Sequence, residues 1–303
     1  MTANFWKSSH SNNWIFLGQT LNTLRHNDYQ LLTEIDYQKL MIFFADFIQS
    51  LGEQLKVKQQ VVATAVGYFK RFYVINSLKD VDPFLLAPTS LFLASKVEEF
   101  GVISNTRLIA SCQGLLKTKY VFLQLPEYSY RSNNVLECEF YLLEMLDCSL
   151  LFYQPYRPLV LLASDMGQED KILPLAWNLV NDSLRTDLCL KTAPHLIAIT
   201  CLHLACVLLQ KNNYVNWFAE LNVDWDLIVE ITSEIVNLYD IWNEMDDKND
   251  IPQILNKLPK VKLNSSNLSI GNNAQSSNNL NNSLNMDNNC LNIMNKNNNL
   301  NMC

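Results

Sequence analysis

Apolar residues recur at spacings of three and four along most of the chain, the period that gathers them on one side of an α-helix. Trp14, Leu17, Leu21 and Leu24 form one such stripe ahead of Asn27-Asp28. Residues 37–51 carry a second, with Gly52 as its expected stop, and Val62, Ala65, Phe69 and Phe72 mark a third. Asp82-Pro83 reads as a start signal. The Asp can cap free N–H groups of a first turn, and a Pro at the first helical position forfeits no hydrogen bond. Residues 84–97 are apolar almost all round, which predicts a buried central helix, with Pro88 kinking its first turns or delaying its start. Further helices are predicted over 105–116 and 133–146, the latter with Leu136, Phe140, Leu143 and Leu146 as its core stripe.

Two segments repeat. Residues 83–96 read PFLLAPTSLFLASK and residues 194–207 read PHLIAITCLHLACV, with seven of fourteen positions identical and no gap. The offset is 111 residues (194 minus 83), and it also sets Ala65 over Ala176 and Val62 over Leu173. An internal duplication of this kind means two copies of one helical unit. A short segment around Trp217 and a long helix over 226–242 complete the second copy. The predicted architecture is all-α: an N-terminal helix within 1–36, a five-helix repeat over 37–152, a second over 153–258, and a tail over 259–303. Seventeen of the last forty residues are Asn and none is aromatic, so the tail cannot bury enough surface to offset its ordering entropy and is expected to be disordered.

The duplication also separates fold from function. Lys96 faces Val207 across the repeats, so an apolar residue suits the fold there and Val207 is expected in the core. Lys96 then needs another purpose than packing; the alternative is a cation at a helix C-terminus, with Gly101 as the stop. Glu139 is expected just off its helix's core stripe, open to a partner. Phe5 and Trp6 lie outside both repeats, as core or as contacts.

Composition narrows the function. Seven glycines in 303 residues disfavour phosphate loops and hairpins. A net charge of −7 makes the chain a poor counterion for nucleic acid, so no direct contact is expected. No apolar run is long enough for a membrane span and no signal peptide opens the chain, so a soluble intracellular protein with its eight cysteines as thiols is expected. The four histidines form no HExxH, and there is no GxSxG and no GxxxxGK[ST]. Cys201 and His203 lie roughly 200° apart around a helix, so they cannot share a metal ion. No cofactor, no metal and no catalytic set is expected, which leaves a surface that binds another protein.

At these residues the sequence resembles the cyclin family. LASKVEEF matches the end of the third helix of the cyclin box, VVATAVGYFKRFY the second and ECEFYLLEMLDCSL the fifth. NFWKSSHSNNWI, PYRPL and DMGQEDKILPLAWNLVNDSLRTDLCL are similar to the C-type branch. The resemblance covers residues 1–258. It implies a regulator of a cyclin-dependent kinase, the Mediator-associated type, in the nucleus, alongside other Mediator kinase-module subunits and in control of RNA polymerase II. It implies a kinase-binding face of Lys96, Glu139, Leu93, Val97, Leu143 and Leu150. The N-terminal residues Phe5, Trp6 and Trp14 are expected as partner contacts, and Trp177, Asn181, Asp182 and Tyr239 as an inter-repeat groove in which Asp182 answers no core need. Cys148 stands where many cell-cycle cyclins have Phe, and KLMIFF replaces their substrate-docking stretch. The alternatives are a transcription factor IIB-like protein, which should be basic with a zinc ribbon, and a helical scaffold without a kinase.

Overall fold

The computed structural model describes residues 4–125, 127–167, 169–211 and 214–259, so the expected tail lies outside the described residues from 260 onward. The described residues form helices and no strand. None of these helices is long and apolar enough to cross a membrane.

The leading segment is not one helix. A 3₁₀ turn, Phe5–Lys7, is followed by α1 (Ser9–Asn13), α2 (Gly18–Leu24) and α3 (His26–Tyr29). Side chains interrupt it: Asn4 accepts from the Trp6 amide and Ser8 from the Ser11 amide, so each starts a new turn. Between α1 and α2 the Phe16 amide donates to the Leu190 carbonyl of the second repeat at 2.7 Å. The expected stripe breaks there, with Trp14 and Leu21 buried and Leu17 exposed.

The first repeat holds α4 (Glu34–Leu55), α5 (Gln59–Ile75), α6 (Pro83–Val97), α7 (Asn105–Thr118) and α8 (Ser132–Met145). Gly52 does not stop α4. It lets α5 approach, since a Cβ there would lie 2.5 Å from a methyl of Val62. α4 ends instead at Lys56, in the left-handed region at φ 58°. The start of α6 is as predicted, with the Asp82 side chain accepting from the Phe84 amide at 2.8 Å and Pro83 in the first turn. Pro88 does not delay it. The Phe84 carbonyl, which would accept from residue 88 in an unbroken helix, accepts from the Tyr128 hydroxyl at 3.0 Å instead.

The second repeat holds α9 (Tyr156–Asp165), α10 (Glu169–Ser183), α11 (Leu188–Lys191), α12 (Pro194–Leu208), α13 (Val215–Glu220) and α14 (Trp225–Glu244). The last helix of the described residues, α15 (Asp247–Lys257), returns to α4 of the first repeat, where Lys39 pairs with Asp250 and Lys257 with Asp36. α12 is buried through Cys206, but Val207 is 56% exposed. The expectation of Val207 as core is therefore corrected: the matching Lys96 is exposed as well, so the last turn of the central helix turns this position to the surface in both repeats.

Buried charge joins the repeats. Arg25 is buried and donates to both Asp187 carboxylate oxygens, at 2.5 and 3.0 Å. Lys70 of α5, also buried, donates to the Thr186 carbonyl and lies 4.0 Å from Asp187. Burial alone would raise the Asp187 carboxyl, but Arg25 and Lys70 outweigh it and hold it well below the usual carboxylate range.

The linker after α8 is held as firmly. Arg71 donates to the Ser149 and Leu151 carbonyls at 3.2 Å, and the Tyr68 hydroxyl to the Leu150 carbonyl at 2.6 Å. Phe152 lies over Gly67, where a Cβ would come 2.4 Å from its ring. His10 stacks on Phe152 with centroids 5.1 Å apart and its Nδ1 accepts from the Tyr153 amide. Burial, and then the Arg71 charge, push the His10 imidazole down to about 3. The unfolded chain therefore takes up this proton near pH 6.5 while the folded chain resists it to about 3. Stability contributed by neutral His10 is complete at pH 7 and is lost as pH falls through that window, at up to about 1.4 kcal/mol per unit. A His10→Gln variant should show a flatter urea midpoint between pH 7 and 5 than the native chain; parallel curves would refute the assignment.

Candidate functional site

α6 carries Lys96 out of the core in its last turn, and α8 crosses it there. The inward face of α8 is Val135, Cys138, Leu142 and Leu146. Leu146 is core as predicted, but the rest of this face lies one or two residues before the predicted Leu136, Phe140 and Leu143. Leu136 and Leu143 are half-buried, and Phe140 is 69% exposed. The true phase turns Glu139 inward, where it is 6% exposed, not at an open edge as expected. Lys96 Nζ donates to both Glu139 oxygens, at 2.7 and 2.8 Å, and lies 4.1 Å from the centroid of the Phe92 ring. A buried carboxylate needs a cation, and the ring face adds to the attraction. The two residues thus act first on each other, and together fix an ammonium at the surface.

Of the apolar residues expected around them, Val97, Leu143 and Leu150 are half-buried and reach the surface. Leu93 does not: at 3% exposure it packs inward, because a helix that is apolar all round gives no phase from which to choose its outer side. Phe100, Val102 and Leu151 are exposed apolar residues that the sequence did not mark, and Phe140, expected in the core stripe, is exposed with them. An exposed Phe and a buried one are the same letter, so only the packing of α8 could have told them apart.

Trp14 is core. It is buried beneath the Arg71 guanidinium, 5.1 Å from its ring, which corrects its expected place among the partner contacts. Phe5 is half-buried against Tyr153, whereas Trp6 is 63% exposed and packs edge-on against His195 of α12.

The four groove residues split into two pairings within the second repeat. Trp177 stacks on Tyr156 at 4.5 Å, and the Tyr156 hydroxyl donates to Asn181. The Tyr239 hydroxyl donates to Asp182 at 2.8 Å, and Arg185 donates to the other Asp182 oxygen at 3.2 Å. Asp182 therefore does answer a structural need, tying α14 to α10. A cavity of about 380 Å³ does lie between the repeats, but its walls are α4 (Tyr37, Met41), Arg185 and Asp187, and α14 (Glu234, Leu238). Among the described residues no cluster of His, Cys, Asp or Glu could hold a metal ion.

Two tandem helical repeats with a charged pair at the end of the first central helix are the setting for comparison with known proteins. The Cyclin, N-terminal domain family matches residues 14–151. The chain belongs to the cyclin family. Within that family it is C-type: it is 59% identical to Cyclin-C of Drosophila melanogaster over 262 residues, spanning 86% of this chain and 98% of that protein. It is 54% identical to Cyclin-C of Rattus norvegicus, over 86% of this chain and 92% of that one. Among solved structures, a chain of the CAK complex of Chaetomium thermophilum bound to ATP-gamma-S matches with a TM-score of 0.63 at 18% identity, covering 84% of this chain and 87% of that one. A chain of the yeast RNA Pol II CTD kinase CTDK-1 complex matches with a TM-score of 0.61 at 19% identity, covering 78% and 76%. At these identities the structural agreement concerns the fold.

Proposed function

We propose that this chain is the regulatory subunit of a cyclin-dependent kinase and docks its kinase through the Lys96–Glu139 face. The observation that carries the reading is the pair itself: an ammonium fixed at the exposed end of a buried helix by a buried carboxylate and an aromatic ring. Val97, Leu143 and Leu150 reach the surface from the same two helices and the linker, and Phe140 stands out from α8. A kinase of this class is active only when its C-helix turns inward and closes a Lys–Glu pair. A partner that binds only the inward state shifts the population toward it. A face already rigid before binding loses little entropy on docking. The cyclin supplies no group to phosphoryl transfer, so the chain itself is not an enzyme.

The resemblance to the C-type branch, carried by the identity to Cyclin-C, points this reading to a kinase of the Mediator complex, hence to a nuclear role in RNA polymerase II transcription. The exposed Trp6, with Phe5 behind it, is assigned to contacts with the kinase or with another subunit of that module. The groove residues Trp177, Asn181, Asp182 and Tyr239 are assigned to a second protein contact. No nucleic acid or membrane contact is assigned.

The test is to purify the chain with a Mediator-type kinase and follow phosphate transfer to a peptide of the polymerase C-terminal repeat. The kinase alone should be nearly silent, the chain alone silent, and the complex at least about tenfold faster than the kinase alone, which is about 1.4 kcal/mol in the active-state equilibrium. A kinase equally active with and without the chain would sink the proposal.

A further inference from the structure

Among the described residues the buried Lys and Arg side chains are Arg25, Lys70 and Arg71, and they are not partnered alike. Arg25 and Lys70 share the Asp187 carboxylate. Arg71 of α5 is 0% exposed and pairs with no carboxylate among the described residues. Burial pulls its guanidinium down to about 10, which still leaves it a cation at neutral pH. A buried charge without a counter-charge is costly to keep.

Its hydrogen bonding is one-sided as well. Nη1 donates to the Ser149 and Leu151 carbonyls, while Nε and Nη2 find no acceptor among the described residues. Those two nitrogens form one edge of the guanidinium, a fork that grips an anion through two parallel N–H bonds. The Trp14 ring lies 5.1 Å from the guanidinium, and its buried indole N–H has no acceptor either. Phe152 packs at 5.0 Å, with His10 stacked on it. His10 Nδ1 accepts from the Tyr153 amide, so Nε2 carries the hydrogen, and it too is unpartnered. The free groups of this cluster are therefore all donors. The rings ease the charge but accept N–H groups only weakly. The buried Cys189 thiol is not the missing anion, because burial outweighs the neighbouring cations and raises it. A cavity of about 10 Å³, walled in part by His10, Phe152 and Cys189, adjoins the cluster and is on the scale of one water or one small ion.

We propose that Arg71 and Trp14 hold a single chloride ion, seated against the Nε–Nη2 edge of the guanidinium with the indole N–H as a further donor. The chemistry of the cluster selects this ligand. A water can accept two of these bonds, but its own hydrogens need acceptors, and the cluster's free groups are donors only. A water is also neutral and leaves the Arg71 charge unbalanced. A phosphate or a carboxylate-bearing ligand is too large for a space of this size. A monatomic anion needs only donors and one cation, which is what the residues supply. The site lies where the leading segment, α5 and the linker after α8 meet, so the ion ties the start of the chain to the joint between the repeats. It involves neither Lys96 nor Glu139.

The experiment is thermal unfolding of the full chain in sodium chloride and in sodium gluconate at matched ionic strength. The melting temperature should rise by about 3 to 5 °C for each tenfold of chloride above its dissociation constant, as expected for a ligand that binds only the folded chain. Gluconate is too large to enter and should give only the small change due to screening. Bromide should replace chloride, and crystals grown in sodium bromide should show an anomalous peak at the Arg71 edge. Trp14→Phe keeps the buried ring and removes the N–H, so the variant should need about tenfold more chloride for the same shift. Should it fail to fold, the native chain in the two salts and the bromide crystals decide the matter. Equal melting curves in chloride and gluconate would overturn the proposal. So would a water in place of bromide at Arg71, or a chloride response that Trp14→Phe leaves unchanged.

Discussion

Replacing Asp187 with Ala is expected to destabilise the fold by about 3 to 5 kcal/mol, the range for breaking a buried ion pair from one side. The reason is what the substitution leaves behind. Arg25 stays buried over the Tyr37 ring, 4.8 Å from its centroid, and Lys70 stays buried with one carbonyl as acceptor. Both cations would then sit between the repeats without an anion. Lys257 and Asp36 make the comparison, since their pair is equally short at 2.7 Å but lies at the surface, so Lys257→Ala should cost no more than about 0.5 kcal/mol. The contrast also fixes a pH dependence. The Asp187 carboxyl is held low in the folded chain, so its contribution is complete above the unfolded carboxylate value, about 4, and disappears only as pH falls through the depressed folded value. The penalty of Asp187→Ala should therefore be the same at pH 5 and pH 8. Urea denaturation of both variants at the two pH values decides it. A loss below about 1 kcal/mol for Asp187→Ala would mean that the cations reach water and that the repeats are held by packing alone.

What was legible in the sequence was whatever is written locally. The Asp82-Pro83 start of α6 needs only a capping side chain and a ring without a donor, and both act within one turn. The duplication needs only residue identity at a fixed offset, and it led to two repeats of the same fold. The misreadings all concern which way a side chain faces. α6 and α12 are apolar on every side, so nothing in them says that Leu93 turns in while Val207 comes out. α8 was placed correctly along the chain but rotated by one or two residues over most of its length, because Phe140 looks like core and Cys138 does not. Trp14 was assigned to a partner because the cation it covers, Arg71, lies fifty-seven positions away (71 minus 14). Val207 reads as core because its side chain is apolar, yet this position comes to the surface in both repeats, as the exposed Lys96 shows. The charge network of Arg25, Lys70 and Asp187 gave no signal at all, since nothing in the sequence brings those three positions together.

Lys96→Ala should lower kinase affinity by tens-fold or more, at the 2 to 5 kcal/mol that an interfacial charge costs when its partners are left unpaired. The structure changes what else that variant should do. Val207 made Lys96 look dispensable for folding, but Glu139 is buried and Lys96 is its cation. Removing the Lys strands a carboxylate, so a stability loss of about 1 to 3 kcal/mol is expected, above the 0.5 of a surface change. Val207→Ala, at an exposed position, should cost no more than about 0.5 kcal/mol. A loss of kinase affinity in Lys96→Ala could then arise either from a missing contact or from a shifted α8, and the exchange Lys96→Glu with Glu139→Lys separates the two. The exchanged chain can still form a pair between α6 and α8, so the stability lost by either single variant should be partly recovered. If the ammonium itself meets the kinase, affinity should stay low, because the exposed end of the pair is now a carboxylate. Phe140→Ser supplies a further check: it removes an exposed ring from α8 without touching the pair, and should weaken kinase binding at unchanged stability. Titration calorimetry against the purified kinase, with thermal unfolding of each variant, reads both quantities. Recovery of affinity together with stability in the exchanged chain would assign the pair to the fold alone and move the kinase contact to the apolar residues around it.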